Sequence, residues 1–344
     1  MFILFRYHND AADVLGNQII GLVLITLIVC AALMLQVFLH ELGHVIFGKL
    51  SGYRFMGMSV FGYWLLRTDN GMRFKFFPMK GAGGGTLSLP EDGYKKDTPH
   101  TMFYLGGVLM NILVTVLFTA MFLMDISPMM NCLAAAVMIT GVFFILNNSI
   151  PMTEGFVIND MAMLRLFRRD GATGDCTFFV AKMTFLIMSG SYTEEYMRNV
   201  PSDLPYGNRM AEIVRVNIIH YHLRNMRLDL AEENIHELLS GIGSRGRIKN
   251  IMDLHLMVMY AVRGEDKRKI DDIYDRKMRK FVRSIIKNEP EALLFLIAYE
   301  KRFGAGDPDA YELMHRFEKL VKRNEAGTVY ERYMMESLLS NSAF

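Results

Sequence analysis

Between Val14 and Leu39 the chain carries no Asp, Glu, Lys or Arg, and two more such runs follow at Thr98–Met124 and Ile126–Thr153. Each exceeds the roughly 20 apolar residues needed to cross a hydrocarbon core about 30 Å thick. They predict three membrane spans, at about residues 15–47, 100–124 and 129–150. After Glu154 the pattern reverses: charges of both signs alternate with apolar residues at helical spacing, and no run is apolar enough to insert. The expected division is a membrane-embedded part, residues 1–160, and a water-facing helical part, residues 161–344.

The net charge of +2 averages over these two parts and gives no reason to expect a nucleic-acid partner. Cys30 and Cys132 fall in spans and Cys176 stands alone, so neither a disulfide framework nor a cysteine metal site can be assembled, which fits a reducing compartment. The first run is read as a span, not a signal peptide: Arg6 is offset by Asp10 and Asp13, and the run continues into His40 without a processing site. Basic residues set the orientation, because they collect on the cytoplasmic side. Arg54, Arg67, Arg73, Lys75, Lys80, Lys95 and Lys96 follow the first span and Arg165, Arg168 and Arg169 the third, whereas Asp125–Pro128 has none. The expectation is a multi-pass cell-membrane protein with its amino terminus outside and its carboxy-terminal part cytoplasmic.

The segment between the first two spans, about residues 53–90, reads as β-rich. Met72, Phe74 and Phe76 alternate with Arg73 and Lys75 after an Asp69-Asn70-Gly71 turn, a hairpin signature. The run Gly81-Ala82-Gly83-Gly84-Gly85 lacks the Gly-Lys-Ser/Thr ending of a phosphate-binding loop; it is either a flexible turn or a close backbone approach to a site. Beyond Asn159, turns at Leu228-Asp229, Gly264-Glu265-Asp266 and Gly304-Ala305-Gly306-Asp307 separate amphipathic helices, suggesting degenerate stacked pairs or an irregular bundle. His220, His222, His236, His255 and His315 sit in no carboxylate pattern and are expected to pack or face water, and the 28 Met residues suggest adaptable packing.

The chemistry is concentrated in His40-Glu41-Leu42-Gly43-His44, at the end of the first span. Residues four apart share a helical face, so His40 and His44 can offer two imidazole nitrogens to one metal ion with Glu41 beside them. Zinc suits such a site, and Glu41 is placed to take a proton from water attacking a peptide carbonyl and to pass it to the leaving amine. Three ionisable groups within five residues of an otherwise uncharged helix are costly unless functional. A carboxylate is the usual third ligand, and Glu154 and Asp160, after the third span, are the candidates. Asn111 and Asn148 place amides in or beside spans, where they bond helix to helix or help hold the site and stabilise an oxyanion.

The apolar helix ending in His40–His44, with Gly107-Val108-Leu109-Met110-Asn111 in the second span and Asn148-Ser149-Ile150-Pro151 closing the third, resembles the site-2 protease family of intramembrane zinc metalloproteases. The likeness covers about Leu15–Asp160 and is closest to a branch with cytoplasmic helical tails, whose third ligand lies in an Asn-Asp-Gly sequence. Asn159-Asp160 matches it, with Met161 in place of Gly, so the resemblance implies Asp160 as third ligand ahead of Glu154. It also implies a mainly α, polytopic fold, with a three-span metalloprotease core, a small β insertion and a soluble repeat-like helical domain. The implied substrate is a membrane-spanning or membrane-associated regulator or precursor peptide. A segment unwound for cleavage could pair with a sheet edge near Thr86–Leu89, and the helical domain would recruit substrate or a cytosolic partner. The competing expectations are an inactive membrane-anchored scaffold, suggested by the missing Asp-Gly, and a zinc transporter or sensor, for which further intramembrane ligands are lacking.

Overall fold

A computed structural model describes residues 18–76, 83–91, 93, 98–154, 157–169, 171–242, 246–304, 310–323 and 328–340. The start of the first expected span, Lys80, Gly81, Ala82, Lys95, Lys96 and the Ala305–Asp307 turn lie outside these residues. Three helices, α1 (Gln18–Leu50), α2 (Thr101–Leu123) and α3 (Pro128–Ser149), are each long and apolar enough to cross a bilayer. The 33 residues of α1 extend about 50 Å at 1.5 Å per residue, longer than the hydrocarbon core. Ala32, Val114, Ala136 and Val137 are buried where the three helices meet, while Leu22, Leu27, Leu113, Val116 and Phe143 are exposed, as lipid-facing residues must be. Where α1 crosses α2, a Cβ on Gly43 would lie 2.3 Å from the Gly106 carbonyl oxygen. Only glycine permits that approach, which sets the position of α2 against the histidine-bearing end of α1.

Between α1 and α2 lies an antiparallel sheet of β1 (Tyr53–Val60), β2 (Tyr63–Thr68), β3 (Gly71–Phe76) and β4 (Gly84–Pro90), in the order β3-β2-β1-β4. The expected hairpin is present: Thr68 pairs with Gly71 across Asp69-Asn70, and Gly71 has φ +98°. β4 pairs with β1 and so forms one edge. After α3, a two-strand ribbon of β5 (Thr153–Glu154) and β6 (Val157–Ile158) leads into α4 (Asp160–Arg169) and α5 (Ala172–Ser189). Phe185 and Met188 of α5 pack on Trp64, Leu66 and Leu87 of the sheet.

The chain divides into two compact units between Asp203 and Leu204, not at 160/161 as the charge pattern suggested. The difference has a physical cause: α4 packs against α2 and α3, and α5 covers the sheet, so both belong with the membrane part although their composition resembles that of the later helices.

The second unit contains α6 (Arg209–Arg224), α7 (Leu228–Ile242), α8 (Arg247–Arg263), α9 (Lys267–Ile273), α10 (Arg276–Ile285), α11 (Pro290–Phe303), α12 (Ala310–Arg323) and α13 (Val329–Ser340). Asn208, Asp266 and Asp275 cap α6, α9 and α10 through their side-chain oxygens, and Gly264, at φ +72°, ends α8. Residues 252–262 of α8 are all buried, so this helix forms the centre of a core that includes Ile219, Ile235, Phe295 and Leu338. His255 is buried inside it, with the half-buried His220 beside it: their Nε2 atoms lie 3.2 Å apart, and His255 Nδ1 is bonded to Glu291.

Candidate metal centre

His40 and His44 lie one turn apart near the end of α1, and both are buried. His40 Nδ1 is 2.6 Å from Asn111 Oδ1. The same Asn111 donates through Nδ2 to Gln36 Oε1 at 2.6 Å and to the Gln36 carbonyl at 3.2 Å, so its oxygen faces the imidazole and His40 Nδ1 must carry the proton. Gln36 is fixed in turn by donation from Nε2 to the Val137 carbonyl at 2.9 Å. His44 Nδ1 lies 2.7 Å from the Phe103 carbonyl oxygen, which can only accept. In the neutral form of each histidine, a proton on Nδ1 leaves the lone pair on Nε2.

Those two Nε2 atoms are 3.2 Å apart, and Asp160 Oδ2 lies 3.1 Å from one and 3.3 Å from the other. Three atoms of metal-ligating type thus converge on one point, as a bound cation requires. The donor set fits zinc: tetrahedral ligands at about 2.0–2.1 Å have edges of about 3.3 Å. The neighbouring backbone leaves the space open, since a Cβ on Gly107 would lie 2.5 Å from His40 Cε1 and 2.6 Å from His44 Nε2.

Glu41 is buried beside the cluster, and its Oε2 accepts a 2.8 Å hydrogen bond from Thr86 Oγ1 of β4. A Cβ on Gly84 would lie 2.6 Å from Glu41 Oε1. Of the two readings of the glycine run, the close backbone approach therefore holds at Gly84.

Asp160 begins α4, and the preceding Asn159 holds that start in place. Its Nδ2 donates to the carbonyls of Asn147 (2.8 Å) and Ile150 (2.7 Å), and its Oδ1 accepts from Met152 N (3.0 Å) and Ala162 N (3.1 Å). One amide thus fastens the end of α3 to the first turn of α4 and acts as a helix cap.

Comparison with protein-family models matches residues 28–324 to peptidase family M50, the site-2 protease family. The chain belongs to peptidase family M50. The match continues beyond the membrane core into the helical unit, and M50 is a family of zinc-dependent membrane proteases. Searches of curated proteins and of solved structures return no match.

Of the residues singled out from sequence, His40, His44 and Asp160 come together as the one group among the described residues able to hold a metal ion, with Glu41 alongside. Asn111 touches His40. Asn148 instead donates from Nδ2 to the Phe144 carbonyl of its own helix at 3.1 Å, and the Glu154 side chain lies outside the described residues. Gln36 and Asn159 were missed as positioning residues, although each left a signal: an amide one turn before His40 within an apolar stretch, and an Asn immediately before a helix.

Proposed function

We propose that this M50 member is an intramembrane zinc metalloendopeptidase, with His40, His44 and Asp160 as ligands and Glu41 as general base and acid. The observation that carries the reading is the convergence of two imidazole Nε2 atoms and one carboxylate oxygen within 3.3 Å of one another, beside a buried Glu held by Thr86. Zinc held there supplies Lewis acidity, acidifying water and polarising a carbonyl at neutral pH. Glu41 then takes the proton of the attacking water and delivers it to the leaving amine, with Thr86 steadying the carboxylate. Asn111 and Phe103 keep both imidazole lone pairs aimed at the ligand position.

The substrate is a membrane-anchored regulator or precursor peptide. A helix inside a bilayer satisfies its own amides, so it must unwind before cleavage, and the freed amides need partners. β4 offers an edge whose Gly84 and Thr86 lie against Glu41, so an extended substrate strand paired there would bring its carbonyls to the site. With the amino terminus outside, this end of the core and the helical domain face the cytoplasm, where the domain recruits substrate or a partner. The test compares membranes from cells producing the wild type and Glu41→Gln. New peptide termini within or beside membrane spans should accumulate with the wild type alone; equal termini in both would remove the peptidase reading and favour a membrane-anchored scaffold.

A further inference from the structure

The helical domain concentrates positive charge on one element. Residues 276–287 contain Arg276, Lys277, Arg279, Lys280, Arg283 and Lys287 and no Asp or Glu, whereas the whole chain is only +2, so everything outside this segment is net negative. All six cations are exposed. The face cannot turn inward, because Met278 and Val282 of α10 are buried in the core, with Phe281 and Ile285 packed beside them. Arg276, Arg279, Lys280 and Arg283, at helical positions i, i+3, i+4 and i+7, line one concave strip about 10 Å long.

Several cations elsewhere in the domain have acidic partners, among them Arg215 with Glu237, Arg263 with Glu232, and Lys249 with Asp253. Among the described residues none of the six forms an ion pair. The adjacent acid, Asp275, is committed to capping α10 by accepting from Met278 N. Like charges this close repel within a Debye length of about 8 Å, so the array costs free energy unless an anionic partner uses it.

We infer that the α10 face docks on the anionic headgroups of the bilayer in which the chain is anchored. The only exposed α10 residue that is not cationic is Ser284. The strip therefore has neither the apolar centre of a protein interface nor an exposed aromatic on which bases could stack. A lipid surface requires neither, since its charge is spread out and is read without shape. Three apolar helices in the same chain keep the domain within reach of that surface. Docking would hold the domain down at a membrane rich in acidic lipid and release it at a neutral one.

The test uses the full chain in nanodiscs of phosphatidylcholine, with and without added phosphatidylglycerol, and labels lysines with a water-soluble amine reagent read by mass spectrometry. With the anionic lipid, labelling of Lys277, Lys280 and Lys287 should fall about threefold or more relative to Lys319 and Lys322, and high salt should restore it. The Arg276→Gln, Arg279→Gln, Arg283→Gln triple variant, which retains the reporter lysines, should lose this protection, each arginine contributing about fivefold in surface affinity. Unchanged labelling of Lys319 and Lys322 and an unchanged helical circular-dichroism signal would show that the domain of the variant is folded. Equal labelling in both lipids overturns the inference, as does protection that appears only when an acidic protein or duplex DNA is added to neutral discs.

Discussion

At the residue scale the site depends on hydrogen bonds made away from it. Asn111 accepts from His40 Nδ1 and is itself fixed by Gln36, so Asn111→Ala should leave the ligands in place but free one imidazole to rotate or change tautomer. The expected result is a roughly 10- to 100-fold loss of zinc affinity in a chelator competition, in a protein that still folds. The His-Glu-Leu-Gly-His pattern was legible because its spacing fixes one helical face, and Asp160 followed once the Asn-Asp pair was matched to a family. The roles of Gln36 and Asn159 were not legible. A single amide in an apolar run has the same appearance whether it bonds a neighbouring helix or holds a ligand, and only the packing of α2 against α1 decides between them.

At the element scale, β4 connects the sheet to the chemistry. It is an edge strand whose Gly84 and Thr86 lie against Glu41, and its Leu87 is packed in the cluster with Phe185 of α5. If substrate is held by strand pairing, a proline-bearing replacement of residues 87–89 that keeps Thr86 should abolish cleavage while zinc content stays near that of the wild type. Loss of zinc and cleavage together would assign the strand to the support of the site instead. The three spans and the β2–β3 hairpin were readable, since uncharged length and a two-residue turn are local signals. The roles of α4 and α5 were not, because their attachment to the membrane core rests on long-range contacts with α2, α3 and the sheet.

At the scale of the whole molecule, a membrane core containing the site and a helical domain with its own core are joined in one chain. The domain encloses a polar row: burial pushes the Glu291 carboxyl well above its ordinary range and His255 down to about 4, and the two are hydrogen-bonded through His255 Nδ1. Glu291→Ala would strand that nitrogen among apolar side chains and should cost about 2 kcal/mol in denaturant unfolding of the domain, whereas Glu291→Gln keeps a donor and should cost less. The central claim, that this is a zinc peptidase whose third ligand is Asp160, is tested most directly by the zinc content of detergent-purified wild type, His44→Ala, Asp160→Ala and Glu154→Ala. Near-stoichiometric zinc in the wild type and Glu154→Ala, lost in His44→Ala and Asp160→Ala, is the result predicted. Zinc absent from folded wild type, or retained by Asp160→Ala and lost by Glu154→Ala, would contradict it.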